Sequence, residues 1–145
     1  MMRHKFLIIA LLSAGPAAAW EFSPTPICTL SHSADTARAE ITYDPATALY
    51  TLTLTRNAGA WAQSPRFGMA FTGGVALTIG TAEHRIDGPR LSVADTGFGN
   101  VLNGLEFNAQ VTGFTDSDAV TLPLAGAQEP VRAFRACAQT PPATS

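Results

Sequence analysis

Apolar and polar residues alternate with a period of two along much of this chain. The alternation is clearest in residues 39–43, 50–55, 67–71 and 105–111. Such alternation is typical of β-strands with one buried face and one solvated face. Turn-forming residues separate the apolar rows at intervals of about 8–12 residues, as in all-β folds. The pattern predicts a mainly β protein, either an antiparallel β-sandwich or an open barrel, with about eight strands.

Turn-forming sequences lie between successive alternating segments at three places. Asp44-Pro45 separates the first row from the second, and Gly73-Gly74 follows the third. A Gly-Gly pair favours a tight hairpin because the primed turns need positive φ angles. Asp87-Gly88-Pro89 separates two further short rows. We therefore predict a hairpin at each of the three sites.

One segment near the end of the chain departs from the period of two. Val131 and Phe134 fall on one side of a helical projection, and Arg132 and Arg135 fall on the other. This spacing predicts one short C-terminal helix over residues 129–138. We expect it to pack over the sheet through its apolar side, with both arginines on its outer face.

The start of the chain has the layout of a secretory signal peptide. Residues 1–5 include the basic residues Arg3 and Lys5, residues 6–12 are apolar, and Ala17-Ala18-Ala19 supplies the small residues of a cleavage site. A membrane anchor would need about 20 apolar residues, and Gly15-Pro16 interrupts the run too early. We predict a signal peptide over residues 1–19, removed after Ala19.

Composition limits what the remaining chain can bind. The 145 residues carry 9 basic and 11 acidic side chains. Loss of Arg3 and Lys5 with the leader leaves 7 against 11, a net charge of −4, and no lysine. This balance argues against nucleic acid or an anionic membrane as partner. We predict a single β-domain over residues 20–139 with no membrane span, followed by a disordered tail over residues 140–145.

The two cysteines, Cys28 and Cys137, lie near the two ends of this predicted domain. An even cysteine count in an exported protein of this size predicts a disulfide, with free thiols as the alternative. Closing so long a loop contributes about 4–5 kcal/mol in the chain-entropy model. Export and a disulfide together predict a periplasmic or secreted protein.

The sequence offers little catalytic or metal chemistry. The chain has enough ligand residues for a zinc site, namely His32, His84 and either Glu83 or Asp95. Their spacing, however, matches no zinc-binding motif. We predict instead that both histidines lie on the surface at strand ends. The chain also lacks a G-x-S-x-G nucleophile motif. We predict no enzyme activity, no cofactor and no metal; a hydrolase built on His84 is the least favoured alternative.

The most unusual stretch runs from Asp95 to Asn108 and is rich in glycine and asparagine. We expect a long loop here, with an exposed phenylalanine. Its candidate binding residues are Asp95, Phe98, Asn100 and Asn103. Asp95, Asn100 and Asn103 could instead supply oxygen ligands to calcium. The favoured interpretation is a connection whose Gly and Asn residues allow positive φ, although loops often carry function on sandwich scaffolds.

The end of the chain, LPLAGAQEPVRAFRAC over residues 122–137, resembles the close of the invasion-associated locus B family. The whole chain resembles small exported proteins of alphaproteobacteria. The family's proteins likewise finish with a strand, a glycine turn and a short apolar helix. The resemblance implies an envelope or secreted β-sandwich without known catalysis, and it transfers no functional residues.

These observations favour an exported, non-enzymatic β-domain that binds a protein or envelope component. The loop at residues 95–104 and the aromatic residues Trp20 and Trp61, expected to be exposed, are the candidate contacts. The alternative is a periplasmic carrier of a small apolar ligand, held in a cavity between the strands. The expected lining of that cavity is Met69, Phe71, Leu105 and Phe107.

Overall fold

The computed structural model describes residues 19–140 as ten strands and two helices. The predicted signal peptide, apart from Ala19, and the predicted tail beyond Thr140 lie outside the described residues. The first six strands are β1 (Glu21–Ser23), β2 (Cys28–Ser33), β3 (Ala37–Asp44), β4 (Leu49–Arg56), β5 (Phe67–Thr72) and β6 (Leu77–Thr81). The remaining elements are β7 (Arg85–Asp87), β8 (Arg90–Asp95), α1 (Gly99–Glu106), β9 (Gln110–Phe114), β10 (Ala119–Pro123) and α2 (Gln128–Gln139).

The strands form two antiparallel sheets of unequal width. The wide sheet has six strands in the order β1-β2-β3-β4-β8-β7, and the narrow sheet has four in the order β10-β9-β5-β6. Neither sheet closes on itself, so the fold is sandwich-like and not a barrel. The apolar rows of both sheets meet in one core. Its most deeply buried side chains include Leu30, Ile41, Leu54, Phe71, Leu91 and Val111.

All three predicted hairpins are present. β3 pairs with β4, β5 with β6, and β7 with β8, each in antiparallel register. Gly88 takes a positive φ of 58° in the two-residue β7–β8 turn, as a primed turn requires. The two-residue turn predicted at Gly73-Gly74 is wrong, because β5 ends at Thr72, β6 begins only at Leu77, and of the two glycines only Gly73 has a positive φ, of 95°. The prediction missed β1 and β2. In β2 the buried row is Cys28, Leu30 and His32, and a histidine in the row hides the alternation.

The loop and strand predicted for residues 95–111 are partly wrong, because α1 occupies Gly99–Glu106 and β9 begins only at Gln110. The amphipathic strand prediction used alternate residues from Leu105 onward. The buried side chains of this region instead follow helical spacing at i, i+3, i+4 and i+7: Phe98, Val101, Leu102 and Leu105. Burial of that stripe against the core stabilises a helix despite its glycine and asparagine content.

The C-terminal helix is confirmed, as α2 spans Gln128–Gln139 and fully buries Val131 and Phe134. It packs against β1, β2 and α1. The predicted disulfide is also present, and it ties Cys137 of α2 to Cys28 at the start of β2. The helix thereby covers the β1–β2 side of the wide sheet.

Arg132 lies on the outer face of α2 as predicted, with 61% of its side chain exposed, whereas Arg135 is 27% exposed, and both pair with Glu106 of α1. Arg132 Nε lies 3.3 Å from Glu106 Oε2, and Arg135 Nε lies 3.1 Å from Glu106 Oε1. The Arg135 contact is an ion pair without hydrogen-bond alignment. Arg135 Nη2 also donates to Asn103 Oδ1 at 2.6 Å. The arginines therefore fix α1 against α2 through a carboxylate that is only 8% exposed.

A close approach at Gly104 sets the depth of α1 over the core. A Cβ atom at this position would lie 2.5 Å from the ring of Phe71. We expect Gly104→Ala to lower the free energy of unfolding by about 1–3 kcal/mol, because the helix must move outward or the ring must shift. Urea denaturation followed by circular dichroism measures the difference.

Gly99→Ala is the matched control, because a Cβ at Gly99 meets nothing within 4 Å. It should leave the stability unchanged or raise it by less than about 1 kcal/mol. Equal destabilisation by the two variants would contradict the packing argument.

Candidate functional site

A cleft of about 480 Å³ opens between edge strand β6 of the narrow sheet and strand β8 of the wide sheet. The segment from Gly97 to Val101, which leads into α1, forms one of its walls. The volume lies within the range of about 300–1,000 Å³ that is typical of small-molecule sites. The main apolar side chains of its lining are Leu52, Phe67, Met69, Ile79, Val93 and Val101.

The cleft lies at the β6 end of the narrow sheet. β10 contacts β3 across the sandwich, and Gly113 of β9 lies against Leu54 of β4. Counted strand by strand from these contacts, β5 falls opposite β8 and β6 opposite β7. Ile79 of β6 and Val93 of β8, which line the cleft, are only partly buried.

Three of the four predicted binding residues meet at this cleft. Asp95, Phe98 and Asn100 all contribute to its lining. Asp95 is exposed, and its Oδ1 accepts a hydrogen bond from the Thr96 amide at 2.6 Å. The expectation of an exposed Phe98 is wrong, because its side chain is 5% exposed and stacks on Tyr50 with ring centroids 5.4 Å apart. Phe98 therefore belongs both to the wall of the cleft and to the hydrophobic core.

Asn103 does not join the other three. Its Oδ1 accepts the 2.6 Å hydrogen bond from Arg135, on the side of α1 that faces α2. The positive charge of the Arg135 guanidinium at Asn103 Oδ1 would repel a metal cation at the same oxygen. The arrangement therefore does not support the calcium alternative built on Asp95, Asn100 and Asn103.

An aromatic cluster lies behind Phe98, where the β3–β4 hairpin meets both helices. The ring of Tyr50 lies 4.7 Å from that of Tyr43 and 6.2 Å from that of Phe134. Burial and the neighbouring Tyr43 raise the pKa of Tyr50, and Arg135 opposes the shift. The raised pKa keeps the Tyr50 phenol neutral at neutral pH.

The two tryptophans expected on the surface are both in the core, so that expectation is wrong. Trp20 is 4% exposed, and its indole N–H donates to the Pro123 carbonyl at 2.9 Å. Trp61 is 3% exposed and donates to the Leu54 carbonyl at 3.3 Å. Each side chain has a partner for its one polar group, and neither is available as a surface contact.

The histidines also differ from the prediction. His32 is 4% exposed and stacks on Trp20 with ring centroids 5.0 Å apart, so it is a core residue. His84 is half-buried just before β7, with Nε2 2.8 Å from the backbone carbonyl of Ser64. Because a carbonyl only accepts, Nε2 carries the hydrogen. Its partner is the backbone of Ser64 and not the hydroxyl, unlike a base that activates a serine.

The interior between the sheets is filled. Met69, Phe71 and Leu105 are buried, and the void among the core side chains is about 10 Å³. Phe107 was expected to line a cavity with them, but it is 43% exposed after the end of α1. Of the four predicted carrier residues, only Met69 reaches the cleft. The cleft at the sandwich edge therefore has far more volume than the centre of the core.

Within residues 19–140, no group of three or more His, Cys, Asp or Glu side chains is placed to hold a metal ion. In the same range, no helix is both long enough and apolar enough to cross a membrane. Comparison with protein-family models, with curated proteins and with solved structures finds no match. The resemblance of residues 122–137 to the invasion-associated locus B family therefore stays a hypothesis, although β10, a turn at Gly126 and α2 do follow one another there.

Proposed function

We propose that this chain is an exported, non-enzymatic domain that binds an apolar group of a protein or envelope component in the cleft beside β6. The observation that carries this proposal is the cleft itself, with a volume of about 480 Å³ and a mostly apolar lining. A few polar groups at an apolar cleft are typical of binding sites, where they orient the bound group. Asp95, Asn100 and Thr81 supply such groups here.

The chemistry of the lining supports binding more than catalysis. Asp95 is the one ionisable side chain that lines the cleft. General acid–base catalysis usually pairs two titratable groups whose environments separate their pKa values. His84 and His32 lie outside the cleft, each held by its own neighbours. A hydrolase on this cleft would have to act with one exposed carboxylate.

Export is supported by two independent features. Residues 1–19 have the order of basic, apolar and small residues of a signal peptide. The Cys28–Cys137 disulfide fits an oxidising compartment, where such bonds persist. We therefore propose a periplasmic or secreted location. The second candidate function, a carrier of a free small apolar ligand, is favoured by the same cleft volume.

Binding at the cleft is tested with N-phenyl-1-naphthylamine, a neutral apolar fluorophore. We expect saturable one-to-one binding by the disulfide-bonded protein. A Cβ at Gly97 meets nothing within 4 Å, and Gly97 lines the cleft. Gly97→Leu should therefore place apolar side-chain atoms in the cleft and weaken binding at least tenfold, roughly 1.4 kcal/mol.

Ala46→Leu is the control for this experiment, because Ala46 is exposed in the β3–β4 turn away from the cleft lining. It adds a leucine of the same size and should leave the affinity unchanged. Absence of saturable binding to the wild-type protein, or equal affinity in both variants, would overturn the proposed cleft function.

The mass of the full-length gene product, expressed in a Gram-negative host and purified without reduction, tests export. We expect a mass that begins at Trp20 and is about 2 Da below that of the dithiol, since disulfide formation removes two hydrogens. Recovery of the intact precursor from the cytoplasm would contradict the proposed location.

A further inference from the structure

We infer that the outer edge of β6 binds an extended segment of a protein partner as a fifth strand of the narrow sheet. One apolar side chain of that segment would enter the cleft. The inference deepens the proposed function and rests on it, because the same cleft is used. The partner is defined by its extended backbone conformation and by the chemistry of its side chains.

The four sheet edges differ in how well they resist strand addition. β1 and β7, at the ends of the wide sheet, have only three residues each. β10 has five residues but ends in Pro123, whose carbonyl accepts the bond from Trp20. Short strands and proline protect edges against pairing. β6, Leu-Thr-Ile-Gly-Thr, has five residues with no proline and no charge.

The outer edge of β6 is free along its length in the part of the chain that the structure describes. β6 pairs only with β5, and the backbone hydrogen bonds outside the regular elements include none to residues 77–81. An extended peptide can satisfy such an edge with main-chain hydrogen bonds. Adjacent strands lie about 4.8 Å apart, so an added strand would continue the narrow sheet beyond β6.

Both faces of β6 offer space for the side chains of an added strand. The cleft lies on the inner face, beside Ile79 and Thr81. A second, open depression lies on the outer face beside Thr78 and Phe114. Successive side chains of a strand point to opposite faces. Each of the two rows of a partner strand would therefore meet one of these spaces.

The position of the cleft beside the free edge indicates a strand and not only a small ligand. Ile79 of β6 and Val93 of β8 line the cleft and are only partly buried. A side chain from a strand added at β6 would contact both of them. The free backbone edge and the partly buried apolar side chains therefore lie within reach of the same extended segment.

Charge defines the partner further. The seven arginines and eleven carboxylates between residues 19 and 140 give this part of the chain a net charge of −4. Asp95 is the one charged group that lines the cleft, and it is exposed. An apolar segment with Lys or Arg beside the cleft complements Asp95, while the outer depression is lined by one charge of each sign, Arg66 and Asp116. A second copy of the chain would bring the same negative charge, so a basic segment of another protein fits better.

The experiment selects binders from a displayed library of random twelve-residue peptides on the disulfide-bonded protein. We expect enrichment of sequences that alternate apolar and polar residues and include Lys or Arg. A synthetic copy of an enriched peptide should slow amide hydrogen exchange at residues 77–81 in NMR spectra. It should also compete with N-phenyl-1-naphthylamine, because its apolar side chain occupies the cleft.

Two exposed threonines on edge strands of the same sheet provide matched variants. Thr78→Lys places a cation on the β6 edge, where it repels a basic partner and disfavours strand addition. It should weaken peptide binding at least tenfold, roughly 1.4 kcal/mol. Thr121→Lys places the same charge on β10 and should leave binding unchanged. Circular dichroism confirms that both variants are folded.

Several results would overturn the inference. These are failure of the library to yield a binder, protection of amides elsewhere than β6, and equal effects of the two lysine variants. A dimer of the free protein that Thr78→Lys dissociates would assign the edge to a second copy instead. If the fluorophore binds in the cleft but no peptide protects β6, the proposed function stands and the strand inference fails.

Discussion

The unequal width of the two sheets is the constraint on which the rest of the structure depends. Six strands present more apolar surface than four strands can cover. At the β1–β2 end, α2 supplies the missing cover, and the Cys28–Cys137 bond attaches it to the first residue of β2. The two surplus strands of the wide sheet are accounted for at this end, and the other four strands oppose the four of the narrow sheet. The cleft lies at the opposite end, between β6 and β8, where Ile79 and Val93 are only partly buried. The candidate site therefore lies beside the free edge of the narrow sheet.

The two helices connect the covered end of the sandwich to the cleft. Glu106 joins α1 to α2 through Arg132 and Arg135, and Gly104 lets α1 approach Phe71 closely. These contacts fix the C-terminal end of α1, and at its start Phe98, which forms part of the cleft wall, stacks on Tyr50. The wall is therefore held by core packing and not by a freely moving loop. A rigid wall lowers the ordering cost of binding, which favours recognition of an apolar group.

The sequence predicts much of the fold because period and turn chemistry are local properties. Alternation identified β3, β4 and β5, and the 3.6-residue spacing identified α2. The failures have a common physical cause, since burial depends on tertiary partners. Trp20, Trp61 and His32 were expected on the surface, yet each is buried beside a specific partner. The stripe of Phe98, Val101, Leu102 and Leu105 carried the signal for α1, but glycine and asparagine between those residues favoured a loop. The sequence identified only one side of the cleft, residues 95–100. The other side, on β6, depends on the order of the strands in the sheets, which the local pattern does not reveal.

Amide hydrogen exchange of the free, disulfide-bonded protein tests most directly whether the β6 edge is open. In an antiparallel edge strand, every second N–H points toward its neighbour and the others point outward. The account predicts that alternate amides of residues 77–81 exchange rapidly while those bonded to β5 are protected. Uniform protection along β6 would show that another segment or another copy already covers this edge, and would contradict the account.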